Sequence, residues 1–137
     1  MPQFSKSSLE KLNTCEAKLQ ILFKHIVTNY DCTILVGHRT EEEQELAYSE
    51  NRSKKHWPDS NHNKIPSRAV DVSPYPVPKK WGDGDRNEYE KFRYFAFYVA
   101  GVADTLGIPI RWGGDWDSDH DVNDQYFNDL VHFELNE

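Results

Sequence analysis

The sequence predicts a small α+β fold, a single domain over residues 1–137 in which a short antiparallel sheet packs against about three helices. Three observations lead there. Two segments open with a Ser/Thr-x-x-Glu capping pattern ahead of apolar residues at helical spacing. Four short runs carry β-branched or alternating apolar residues, the mark of strands. Helices and strands are mixed without a regular βαβ rhythm, which favours antiparallel pairing. At 137 residues the chain is long enough to bury a real core.

The elements follow in order. Ser7 and Glu10 form a capping box ahead of Leu9, Leu12, Leu19, Leu22, Phe23 and Ile26, which predicts one first helix. "CTILVG" (32–37) reads as a strand, and Thr40 with Glu43 caps a second helix running to about Tyr48. Residues 49–68, polar and marked by Pro58 and Pro66, form one long loop, and loops beyond about 12–15 residues in a compact domain usually carry function. "AVDVS" (69–73) alternates as a strand does before "PYPVPKKWGDGD" breaks the pattern. The strongest helix spans 88–106 and is stopped by Gly107. "IPIRW" (108–112) and "LVHFEL" (130–135) complete the strands, separated by the acidic loop "GGDWDSDHDVNDQYFND".

Composition removes several classes of function. A net charge of −7 argues against binding the phosphate backbone of a nucleic acid or an anionic membrane surface. The longest apolar run, "FAFYVAGVA", falls far short of the roughly 20 residues of a membrane span. The start "MPQFSKSSLEK" lacks the basic segment and apolar core of a signal peptide. Cys15 and Cys32 are too few for a disulfide framework, which points to a reduced, cytoplasmic chain.

Chemistry concentrates where polar residues interrupt strand patterns. In "AVDVS", Val70 and Val72 share one face, so Asp71 points to the other. In "LVHFEL", Val131, Phe133 and Leu135 share a face and leave His132 and Glu134 opposite. If both strands lay their apolar faces on the helices, Asp71 and His132 emerge together on the open sheet face. His62, on the loop entering the first of these strands, folds back toward Asp71. Two imidazoles and a carboxylate suit Zn²⁺, and three protein ligands leave the fourth position for water. Asp129 precedes His132 by three residues, so it must sit in the turn before the strand to reach that water as a general base. Strand phasing alone leaves a structural reading open, because six histidines make a chance His/Asp/His triple easy to find.

The same stretches resemble the zinc D,D-peptidase family, which groups bacterial D-alanyl-D-alanine carboxypeptidases, vancomycin-resistance D-Ala-D-Ala dipeptidases and phage L-alanyl-D-glutamate endolysins. "SNHNKIPSRAVDVSPYP" is similar to its S-x-H…D zinc segment, implying His62 and Asp71 as ligands and Ser60 as a substrate contact. "DLVHFEL" is similar to the closing acid-x-x-H segment, implying Asp129 as catalytic base and His132 as third ligand. "GHRTEEEQ" (37–44) resembles the family's arginine element, implying that Arg39 polarises the scissile carbonyl and steadies the tetrahedral oxyanion. "RWGGDWDSD" and the Asp at position 129 lean toward the phage endolysins. The chain departs by placing Asp71 nine residues after His62 where compact members use seven, and a catalytic domain with no separate wall-binding domain is expected.

The resemblance implies a zinc metallopeptidase that cuts the L-alanyl-D-glutamate bond of peptidoglycan stem peptides. It implies a monomer held in the host cytoplasm until a separate pore-forming protein releases it to the cell wall. The alternatives are a D-alanyl-D-alanine carboxypeptidase or dipeptidase and, outside enzymes, a structural zinc- or calcium-binding module. His56 shares the loop with His62 and is the main decoy ligand. Trp57, Tyr75, Trp81, Trp116 and Tyr126 are candidates for a peptide groove, although aromatics in so small a domain also serve the core. In "DWDSDHDVND", Asp115, Asp117, Asp119 and Asp121 alternate as carboxylates do around Ca²⁺, which predicts a regulatory or stabilising site. A solvated acidic surface loop is the competing reading of that stretch.

Overall fold

Ser5, not Ser7, starts the first helix. In the computed structural model, which describes residues 2–78, 86–114 and 129–137, the Ser5 hydroxyl accepts the Ser8 N–H at 3.1 Å and α1 runs Lys6–Leu12. The expected single first helix is broken there, and α2 spans Ala17–Val27. The reason lies in the segment between them. Thr14 O accepts the Ser67 N–H and Glu16 N donates to Ser67 O, each at 2.9 Å, so Cys15 pairs with Ser67 as an isolated bridge. A turn of helix is exchanged for backbone bonds that pin the loop ahead of the central strands.

Strand β1 is Cys32–Val36, and α3, Glu41–Ser49, opens on the expected Thr40–Glu43 capping box with both reciprocal bonds made. After a 3₁₀ turn at Asn61–Asn63 come β2 (Ala69–Pro74), α4 (Arg86–Leu106), β3 (Ile110–Gly113) and β4 (Asp129–Leu135). Gly107 follows α4 at φ +71°, the left-handed conformation that ends a helix without a Cβ penalty. Four helices therefore surround the sheet among the described residues, where about three were expected. No helix of these residues is long and apolar enough to cross a membrane.

The four strands are all antiparallel in the order β1-β2-β4-β3. Val70 faces Phe133 across the two central strands, and Asp71 faces His132 directly. Side-chain alternation then sends Val70, Val72, Phe133 and Leu135 into the core beneath α2 and α4. Phe133 anchors that core, its ring 5.5 Å from Phe23 and 6.0 Å from Phe95, both edge-on. The opposite side of β2 and β4 carries Asp71, His132 and Glu134, all buried as well. Open to solvent as a strand pattern, that face is covered in the fold by the loop between α3 and β2. Asp115, Asp117, Asp119 and Asp121 lie outside the described residues, as do Trp81, Trp116 and Tyr126.

Candidate metal centre and active site

Three elements deliver the three expected ligand residues to one point. Asp71 and His132 are a cross-strand pair of β2 and β4, and strand pairing alone sets their separation. His62 arrives on the 3₁₀ turn. Ser60 caps that turn by accepting the His62 N–H at 3.2 Å, and Asn63 returns a bond to the Ser60 N–H at 3.1 Å. Ser60 thus holds the turn in shape while also lining the cavity above it.

The inward atoms are His62 Nε2, Asp71 Oδ1 and His132 Nδ1. Their separations are 3.1 Å between His62 and Asp71, 3.2 Å between the imidazoles and 3.3 Å between His132 and Asp71. Atoms about 2.0–2.1 Å from a tetrahedral zinc lie about 3.3–3.4 Å from one another, so this spacing fits. The outward nitrogens are committed elsewhere. His62 Nδ1 donates to Gly37 O at 2.8 Å, and His132 Nε2 donates to Glu134 Oε1 at 2.7 Å. With those protons outside, two nitrogen lone pairs and a carboxylate oxygen converge inside, an arrangement that demands a cation or a shared proton.

Electrostatics agree. Burial pushes the Asp71 carboxyl up, but the charge of His62 and hydrogen bonds from His132 and His62 hold it well below the usual carboxylate range. Burial pushes His132 down, yet its bonds to Asp71 and Glu134 lift it to about 9. In the metal-free protein a proton on His132 therefore does what a metal ion would otherwise do. Glu134 is raised by burial and lowered more strongly by His132 and Arg111, reaching about 2.

Asp129 reaches the same centre by a route the strand pattern did not show. It was expected in the turn before the strand, and it is instead the first residue of β4. The register breaks there, since Trp112 pairs with Phe133 while Gly113 pairs with Asp129. Gly113 permits this contact because a Cβ would land on the Asp129 carbonyl. Freed from alternation, the Asp129 carboxylate stands 3.8 Å from His132 Nδ1. Burial, and then the negative charge of Asp71, push its carboxyl up to about 6. Arg39 is buried at the same place, with NH2 3.6 Å from Asp71 Oδ2 and NH1 donating to Gln44 Oε1 at 3.3 Å.

A cavity of about 330 Å³ opens over Arg39, Ser60, His62, Asp129 and His132. His56 is not part of it. Its Nδ1 meets Glu45 Oε2 at 2.8 Å and its ring lies over Tyr48, so the decoy histidine serves α3. Trp57 and Tyr75 are likewise not among the cavity walls.

The sequence reading put Glu134 on the face of His132 but did not show its role, nor those of Arg111, Asn61 and Gln44. Glu134 receives His132 at one oxygen, and Arg111 (2.6 Å) and Asn61 (3.0 Å) at the other, so it orients the metal-centre imidazole. The i, i+2 relation of His132 and Glu134 on a strand was a usable signal for that pair. Gln44 is a further support, fully buried on α3 between Arg39 and Asn63. A glutamine amid four glutamates of a helix gives no sign of being a core residue.

Comparison with known proteins places this geometry in context. The pattern of the family described as phage L-alanyl-D-glutamate peptidase matches residues 1–136. The L-alanyl-D-glutamate peptidase of Escherichia phage T5 is 32% identical over 127 residues, covering 90% of this chain and 88% of that protein. The crystal structure of Serratia marcescens L-Ala D-Glu endopeptidase ChiX shares the fold, with a TM-score of 0.70 at 21% identity over 98% of this chain and 91% of that one.

Proposed function

We propose that this chain, which belongs to the phage L-alanyl-D-glutamate peptidase family, is a zinc-dependent peptidase that hydrolyses the L-alanyl-D-glutamate bond of bacterial cell-wall stem peptides. The observation that carries the reading is the trio of inward donors, His62 Nε2, Asp71 Oδ1 and His132 Nδ1, 3.1–3.3 Å apart with every outward nitrogen satisfied. Nitrogen-rich donors at tetrahedral spacing favour zinc over calcium or magnesium, which take oxygen.

When bound there, zinc supplies a Lewis acid that polarises a carbonyl and acidifies a water. The protein's residues do the rest. Asp129, raised to about 6, is ionised at neutral pH yet basic enough to take a proton from the attacking water and pass it to the leaving amine. Arg39, fixed by Asp71 and Gln44, directs its guanidinium charge at the oxygen that turns negative. Glu134 keeps the His132 proton outward, and Ser60 holds the turn of His62 while facing the substrate cavity.

We place the enzyme's action at the cell wall, as a monomer freed from the host cytoplasm by a separate pore-forming protein. Asp115, Asp117, Asp119 and Asp121 remain our proposed calcium site, regulatory or stabilising in role. Digestion of purified peptidoglycan tests the reaction, with mass spectrometry of the new amino termini. New amino-terminal glutamate is expected; release of free D-alanine would instead make the chain a carboxypeptidase.

A further inference from the structure

The two imidazoles of the centre are held from outside by different partners, Gly37 O for His62 and Glu134 for His132. These histidines belong to segments far apart in sequence, the 3₁₀ turn before β2 and the last strand. Independent supports would let the turn slide against the strand and open the 3.2 Å spacing of the inward nitrogens. A ligand set that stays together needs one support tied to the other.

Asn61 makes that tie. It sits immediately before His62 on the 3₁₀ turn, and its Nδ2 donates to Glu134 Oε2 at 3.0 Å. The other oxygen of the same carboxylate, Oε1, accepts His132 Nε2 at 2.7 Å. One carboxylate thus touches the outward nitrogen of one imidazole and the side chain next to the other. Glu134 Oε2 also accepts Arg111 at 2.6 Å, so the carboxylate receives three donors and Asn61 must present its NH₂. Backbone bonds run the same way. Asn61 O accepts the Arg68 N–H at 3.0 Å, and Arg68 O accepts the N–H of Leu135, next to Glu134, also at 3.0 Å.

The chemistry of this bond allows its polarity to be reversed. In Glu134→Gln, an amide that keeps its oxygen on His132 turns its NH₂ against the donors of Asn61 and Arg111. Turning the amide over relieves that clash but places the NH₂ on His132, which moves the imidazole proton from Nε2 to Nδ1. Nδ1 is the inward atom, and a protonated nitrogen cannot bind a metal. A carboxylate at position 61 would accept the amide NH₂ and so fix the amide oxygen on His132. The link between the two ligand segments is then rebuilt with donor and acceptor exchanged.

We infer that Asn61 is a positioning residue of the metal centre, tying the turn of His62 to the carboxylate that orients His132. The inference rests on the zinc reading above. Its test is zinc affinity by chelator competition on the full chain, for the wild type, Asn61→Ala, Asn61→Asp, Glu134→Gln and the two doubles with Glu134→Gln. Asn61→Ala should weaken zinc about tenfold, the low end for an outer support of a ligand, and Asn61→Asp by more, since two carboxylates then meet. Asn61→Asp with Glu134→Gln should bind zinc about tenfold more tightly than the two single losses multiplied together, the mark of direct coupling. Asn61→Ala with Glu134→Gln, which has nothing to fix the amide, should show no such recovery. A loosened fold cannot produce recovery by reversal. Should Asn61→Asp fail to fold in urea-unfolding controls, Asn61→Ala still decides. Wild-type affinity in Asn61→Ala, or an Asp–Gln double whose losses simply multiply, would overturn the tie and leave the centre standing. A wild type that binds no zinc would overturn the zinc reading and the tie with it.

Discussion

The two faces of the β2–β4 pair are equally dry and chemically opposite. Phe133 is 1% exposed and its chain neighbour His132 is 7% exposed. One face is closed by dispersion and apolar burial against α2 and α4, which is non-directional and tolerant of which apolar residue fills the space. The other is held through directed bonds, donated by His62 to the Gly37 carbonyl and by His132 to the Glu134 carboxylate. A buried polar group without its partner costs more than the bond was worth, so every member of this face depends on the others. The sheet thus serves as a stability element on one side and as a ruler for ligand atoms on the other.

Substitutions at neighbouring positions should separate these roles. His132→Ala, like His62→Ala or Asp71→Ala, should abolish turnover, since two remaining protein ligands hold zinc poorly. Phe133→Ala should lose about 3–5 kcal/mol of stability in urea unfolding, the range for a large aromatic cavity, while the folded fraction keeps its zinc. Equal loss of zinc from Phe133→Ala and His132→Ala would mean that the faces are not separable.

Next in size is Asp129→Ala, in which zinc should remain stoichiometric and turnover fall by about 10²–10⁴-fold, the worth of a positioned general base. Arg39→Ala should show the same division between binding and rate. Full turnover in Asp129→Ala would move the base to another group. Smaller again is Glu134→Gln, where competition with a chelator should show zinc affinity weakened on the order of 10–100-fold, because the outward proton of His132 loses its charged acceptor.

The subtlest comparison is with pH. His132 is raised in the fold from 6.5 to about 9, so its contribution to metal-free stability is complete below pH 6.5 and is lost as pH rises toward 9. Thermal melts of the metal-free protein should move down over that window. Zinc affinity should move the other way, because the ligand must lose its proton. Melts and affinities that are flat from pH 6.5 to 9 would remove His132 from the centre.

Much of the polar face was legible because strand alternation is a hard rule. Placing Val70 and Val72 on one side of β2 fixes Asp71 on the other, and the same logic pairs His132 with Glu134. Thr40–Glu43 and Gly107 were legible because caps are local chemistry. The break between α1 and α2 was not, since Leu12 and Leu19 are spaced as a continuous helix would space them and the interruption depends on Ser67, far along the chain. Asp129 was half legible. Its need to escape alternation follows from i, i+3 spacing, but the register shift opposite Gly113 belongs to strand pairing. Gln44 was invisible because a buried hub and a solvated helix glutamine look alike until the loop that covers it is folded.

Zinc stoichiometry after dialysis, read by elemental mass spectrometry on the wild type, His62→Ala and His56→Ala, tests the central claim most directly. The wild type and His56→Ala should each retain one zinc per chain, and His62→Ala should retain none. Zinc kept by His62→Ala and lost from His56→Ala would place the metal on the other histidine of the same loop and contradict the centre described above.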